Sequence, residues 1–131
     1  MNKRRLLKLA DLLEKDAKNK KGIFFDLSVW GWVGNEEEPL SCGTTACAMG
    51  LAAISGAFKR QGLRCRFDEG GGIRIGFGRR WDALLAARRL FGITDSEARQ
   101  LFLYSGDIAK IRGAAGERAV ARRIRDFVSA A

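Results

Sequence analysis

Histidine is absent from this chain. With it goes the proton shuttle that cysteine and serine hydrolases commonly set beside their nucleophile. The three cysteines, Cys42, Cys47 and Cys65, fall one short of a structural zinc set, so a metal centre would have to recruit a carboxylate such as Asp68. Cys42 and Cys47 have four residues between them, where a thioredoxin-like redox centre has two. Proline occurs once, and no serine-rich, glutamine-rich or repeated stretch is present, which argues against long linkers, disorder and solenoids. No apolar run approaches the roughly 20 residues of a membrane span. The basic start "MNKRRLLKLADLL" is interrupted by Lys8, Asp11 and Glu14 before it could form a signal-peptide core. The expectation is a cytoplasmic protein with reduced thiols and with no metal, cofactor or membrane association.

What is present is apolar residue in quantity: 47% of 131 residues, enough for one core and one compact domain over residues 1–131. The net charge of +9 is unevenly spread. Residues 1–21 carry eight bases and three acids, 22–58 four acids and no base, and 59–80 seven bases and two acids. Such a surface suits a phosphate-rich or acidic partner, although solubility alone also accounts for net charge.

Periodicity outlines the elements. Leu6, Leu9, Ala10, Leu13 and Ala17 recur at helical spacing and predict an amphipathic helix over 2–19. "GIFFDLSVWGWVG" alternates, with Ile23, Phe25, Leu27 and Val29 on one side and Asp26, Ser28 and Trp30 on the other, and predicts a short strand. "NEEEP" reads as an exposed acidic loop. A second helix, dominated by small residues, is expected from Thr44 or Thr45 to about Gln61, with a threonine as its N-cap. "LRCRFDEGGGIRIGFG" predicts a β-hairpin with Leu63, Cys65, Phe67, Ile73, Ile75 and Phe77 on one face and Arg64, Arg66 and Arg74 on the other. Three more helices follow. One carries Trp81, Leu84, Leu85 and Phe91 for burial and stops at Gly92. The next opens with a Thr94/Glu97 capping box, and the last buries Val120, Ile124, Phe127 and Val128. The expected class is α+β, mainly helical, with a small antiparallel hairpin or sheet.

The stretch "SCGTTACAMG" places Cys47 near a helix N-terminus, where the dipole can lower a thiol pKa. Cys47 is therefore the one candidate for thiol catalysis, set against a structural role as a small buried hydrophobe. "GGGIRIGFG" lies in a hairpin turn and not between a strand and a helix, and "GAAGER" lacks the lysine and hydroxyl of a phosphate loop, so neither reads as a nucleotide site. Asp26 and the acids at 36–38 have no evident partner for acid–base work. Trp30 and Trp32, beside Phe24 and Phe25, either close the core or anchor a protein partner. Arginines form two candidate cationic strips: Arg64, Arg66, Arg74, Arg79 and Arg80 on the hairpin, and Arg118, Arg122, Arg123 and Arg125 on the last helix. Guanidinium forks match phosphate oxygens, but no helix-turn-helix, zinc-finger or RNA-recognition signature accompanies them.

The segment "FDLSVW", the turn Cys42-Gly43-Thr44-Thr45-Ala46-Cys47 followed by Gly50, and the later "LFGITDSEARQLF" together resemble a loosely defined group of small uncharacterised bacterial and phage proteins. The likeness spans residues 24–50 and 90–102. It implies the layout of an N-terminal helix, a cysteine turn and a late helical pair, and it implies no activity. The reading favoured at this level is a non-enzymatic accessory protein that engages nucleic acid or a nucleic-acid complex through the arginine strips. The alternatives are a protein–protein module or host-enzyme inhibitor acting through Trp30 and Trp32, and a thiol enzyme using Cys47.

Overall fold

The computed structural model describes residues 1–41, 43–103 and 110–131. Among them are five α-helices and five short strands: α1 (Lys3–Lys18), β1 (Phe24–Phe25), β2 (Gly31–Trp32), β3 (Thr45–Ala46), α2 (Ala48–Ser55), β4 (Leu63–Phe67), β5 (Ile73–Phe77), α3 (Ala83–Phe91), α4 (Asp95–Phe102) and α5 (Gly113–Ala130). The chain is an α+β protein, mainly helical. No helix among the described residues is long and apolar enough to cross a membrane.

Helix α1 is capped by the Asn2 side chain, which accepts from the Arg5 amide, and it buries Leu6, Leu9, Ala10 and Leu13 as the periodicity predicts. That stripe packs on α5, which contributes Val120, Ala121, Ile124 and Val128 from its buried face. Phe58, Phe91 and Phe102 continue the core. The Phe58 and Phe91 rings meet edge to face at 5.8 Å, and Phe91 stacks on Phe102 at 5.5 Å, both within the favoured range for aromatic pairs. Helix α3 ends at Gly92 in the left-handed conformation, and α4 opens with the full Thr94/Glu97 capping box, both as expected.

Two expectations need correction. Thr45 and Ala46 do not start a helix; they form β3, paired in parallel with β1 and antiparallel with β2. Their backbone groups are spent on two neighbouring strands, so α2 begins after them, with Cys47 as its N-cap. It also ends early, at Gly56 in the left-handed conformation (φ 73°), and a separate 3₁₀ turn occupies Lys59–Gln61. The second correction concerns α3. Its buried residues are Ala86, Ala87, Leu90 and Phe91, while Trp81, Leu84 and Leu85 are only partly covered. Trp81 lies ahead of the Asp82 N-cap and is not on the helix at all.

The predicted strand at 23–29 is reduced to two residues, but its alternation survives as burial. Ile23, Phe25 and Leu27 point inward, and Phe24 and Ser28 outward. The hairpin forms in the predicted register, with Leu63 opposite Phe77, Arg66 opposite Arg74 and Phe67 opposite Ile73. A single antiparallel bridge, Trp32 to Gly72, supported by the Val33 amide donating to Gly71 O at 2.9 Å, joins β2 to the start of β5. The two sheets, β1-β3-β2 and β4-β5, are thus linked at one point, between β2 and the start of β5.

Candidate functional site

Side chains of residues directly opposite one another in neighbouring strands emerge on the same face, and successive residues along a strand alternate. Applied across the observed pairings, this rule collects the exposed groups. Phe24 is opposite Thr45, Thr45 is opposite Trp32, and Trp32 is opposite Gly72. Two residues on from Gly72, Arg74 returns to the same face, opposite Arg66, and Arg64 follows opposite Gly76. The inner face carries Phe25, Ala46, Ile73 and Ile75, all buried. One outward surface thus bears Phe24, Trp32 and the three hairpin arginines.

Arg66 directly opposite Arg74 is a like-charge pair, which is unfavourable by itself. Each member has compensation. Arg74 lies 3.8 Å from the Asp68 carboxylate, and the Arg66 guanidinium sits 4.4 Å from the centroid of the Trp81 ring. Arg64 shares that ring at 4.9 Å and donates to Gly78 O at 2.7 Å. The indole reaches the strand because position 76 is glycine: a Cβ there would lie 2.8 Å from Trp81 Cε3. A cation held over an aromatic ring at an exposed site gains about 0.5–1 kcal/mol, and stacking through the ring face leaves the edge N–H groups of the guanidinium free to donate. Arg79 and Arg80 are exposed next to this cluster and make no ion pair among the described residues.

The second arginine strip is partly spent. Arg125 bonds both Asp11 and Glu14, which raise its pKa further, and Arg123 donates to Gln100 O at 2.8 Å. Arg118 and Arg122 are exposed and line an open groove of about 620 Å³ together with Lys18 and Glu14. The structure separates the two tryptophans proposed as a protein anchor. Trp32 is 51% exposed, whereas Trp30 packs against the core.

Cys47 is buried, and its sulfur accepts from the Gly50 amide at 3.4 Å and lies 3.8 Å from the Trp30 carbonyl oxygen. Burial pushes its pKa up to about 11, against the lowering action of the α2 backbone amides. Cys65, half-buried, is raised to about 11 by the same cause. Desolvation outweighs the helix dipole, and the geometry is that of a structural cap. Cys42 lies outside the described residues. Near pH 8 both thiols should therefore alkylate about a hundredfold more slowly in the folded protein than in denaturant, as peptide mass spectrometry after iodoacetamide would read out. Preferential labelling of Cys47 in the folded state would restore the thiol-enzyme reading.

Asp26, weighed as an acid–base group, is tied to Ser28 Oγ at 2.7 Å and to Arg112 at 3.3 Å. Burial works against its charge, but these partners hold its pKa below the ordinary value. Glu36, Glu37 and Glu38 lie exposed in a loop. Among the described residues, no group of three or more cysteine, aspartate or glutamate side chains is placed to hold a metal ion.

From the sequence, Phe24 falls only in the aromatic cluster beside Trp30 and Trp32, and Trp81 is expected to be buried; neither is connected with the arginines. The signal for Phe24 was its phase, opposite to Ile23, Phe25 and Leu27. For Trp81 it was the position just before an aspartate N-cap. Comparison with known proteins adds no relative: no family model, curated protein or solved structure matches the chain.

Proposed function

We propose that this protein is a small non-enzymatic binding protein that engages nucleic acid through the hairpin arginines. The observation that carries this reading is the pair Arg64 and Arg66, both ordered on the Trp81 ring and neither with a carboxylate partner among the described residues. A guanidinium already fixed loses less freedom on meeting a phosphate, and its fork reaches two phosphate oxygens at once. Arg74, Arg79 and Arg80 extend the cationic surface, with Arg118 and Arg122 on α5 as a secondary contact.

Binding should be steeply salt-dependent, since each neutralised phosphate contributes roughly 0.9 to the slope of log K against log salt on duplex DNA. The double substitution Arg64→Glu with Arg66→Glu is expected to weaken association with a fluorescent random oligonucleotide by about a hundredfold at moderate salt and to flatten that slope by about two. Arg118→Glu with Arg122→Glu should have a smaller effect. Unchanged affinity in the hairpin variant would remove the hairpin from the interface.

A second reading is favoured by the 51% exposure of Trp32: a protein partner anchored on that ring. Such a complex would survive nuclease treatment and dissociate in Trp32→Ala, while Trp30→Ala would act mainly through the core.

A further inference from the structure

The hairpin arginines account for attraction to phosphate but leave unexplained the two aromatic side chains at the other end of the same surface. Phe24 is 47% exposed and Trp32 is 51% exposed. Both belong to one cross-strand row, and the residue between them is Thr45, short and half-buried. Neighbouring strands lie about 4.8 Å apart, so the Cα atoms of Phe24 and Trp32 are about 10 Å apart, with the threonine between them and the Phe24 ring beside Gly113 at the start of α5. That distance is roughly three B-form steps of 3.4 Å, or fewer steps of a more extended strand. Gly72, next in the row after Trp32, has no side chain to separate the aromatic end from Arg74 and Arg66.

We infer that the ligand of this face is single-stranded nucleic acid, with bases stacked on Phe24 and Trp32 and the adjoining backbone held by the arginines around Trp81. The inference rests on the nucleic-acid reading proposed above and narrows it to one class of ligand. Exposed ring faces reward a ligand only if it presents flat apolar faces of its own, and a base offers one when it is unpaired. A duplex hides those faces in its stack and shows the protein only phosphates and groove edges. Charge complementarity sets the occupant apart from an apolar protein segment: the platform is continuous with three arginines, of which only Arg74 meets a carboxylate among the described residues. Stacking is tolerant of sequence, because every base has a flat face. The expected ligand is therefore a short unpaired stretch of unspecified sequence.

The test uses the full chain with three probes of equal length: labelled oligo-deoxythymidine, labelled oligo-uridine and a random duplex. Each is titrated across a salt series by anisotropy. The single strands are expected to bind at least about tenfold more tightly than the duplex. Phe24→Leu and Trp32→Leu, which keep apolar bulk and lose the ring, should each weaken single-strand binding by about tenfold with little change in salt slope, leaving duplex binding as it was. Thermal melting of both variants confirms that the fold is retained. Arg64→Glu with Arg66→Glu should instead weaken binding to all three probes. Equal affinity for duplex and single strands, with both leucine variants inert, would overturn the single-strand assignment while leaving the arginine reading in place. Failure of all three probes to bind even at low salt would overturn both, and would return the Trp32 face to a protein partner.

Discussion

Replacing Glu117 by glutamine should stabilise the protein by about 5 kcal/mol at pH 8 and by almost nothing at pH 4.5. Glu117 is 1% exposed, on the side of α5 that faces α1, and burial together with the neighbouring Asp16 carboxylate raises its pKa to about 9. Arg118, beside it on α5, acts in the opposite direction without cancelling the effect. The geometry agrees. Glu117 Oε2 and Asp16 Oδ2 are both buried, and neither has a hydrogen-bond partner if both groups are ionised. A proton on Glu117, donated to Asp16, satisfies both oxygens.

The direction of the pH dependence follows from the protons bound. Below about pH 4.5 the glutamate is protonated both folded and unfolded, and it contributes no slope. Between about 4.5 and 9 the folded state keeps the proton that the unfolded chain has released, so stability falls by about 1.4 kcal/mol per pH unit as pH rises. Above 9 both states are ionised, the slope ends, and the full penalty is in force. Asp26, with its lowered pKa, acts in the opposite sense at acid pH. Glutamine keeps the shape and a donor for Asp16 and cannot ionise, so Glu117→Gln should remove the slope. Urea denaturation of both proteins from pH 5 to 9 would measure it. Parallel curves with a constant offset would mean that Glu117 is ionised in the fold.

The substitution Gly50→Ala should cost about 3 kcal/mol or more. Helix α2 begins against the backbone of the chain ahead of β2. The Trp30 carbonyl takes the Cys47 amide at 3.5 Å and lies against the sulfur of Cys47, and a Cβ on Gly50 would run into that same oxygen. The obstacle is backbone at the entry to β2, so relief requires α2 to move away from the core that Met49, Leu51 and Ala52 help to build. A gain in local helix propensity of about 1 kcal/mol for alanine over glycine offsets only part of the loss. A chemical melt would show the drop in midpoint. An unchanged midpoint would mean that α2 does not sit this close to Trp30.

The contrast between Gly50 and Gly56 shows where sequence reading stopped. Both looked like small residues within one long helix. Gly50 is inside α2, where it permits close approach, and Gly56 ends it. Telling them apart requires knowing that the Trp30 carbonyl approaches one and that the other turns left-handed, and neither fact is local. The amphipathic helices and the hairpin were legible because their burial follows a simple period. The three-stranded sheet was not, because its strands are two residues long and pair across gaps of nineteen and twelve residues. The candidate surface was half legible for the same reason. Arg64, Arg66 and Arg74 declare themselves by alternation within one hairpin, whereas their continuity with Phe24 and Trp32 depends on the single bridge at Gly72.

The packing of α1 on α5 has a consequence for how the chain is made. The first helix carries the apolar stripe Leu6, Leu9 and Leu13, but the surface that covers it, Val120, Ile124 and Val128, is synthesised more than a hundred residues later. At ordinary translation rates of 5–20 residues per second, that stripe waits on the order of 5–20 seconds for its cover. Over that interval the growing polypeptide displays a greasy, lysine-edged helix of the kind that general chaperones hold, and the core cannot close until α5 has left the ribosome.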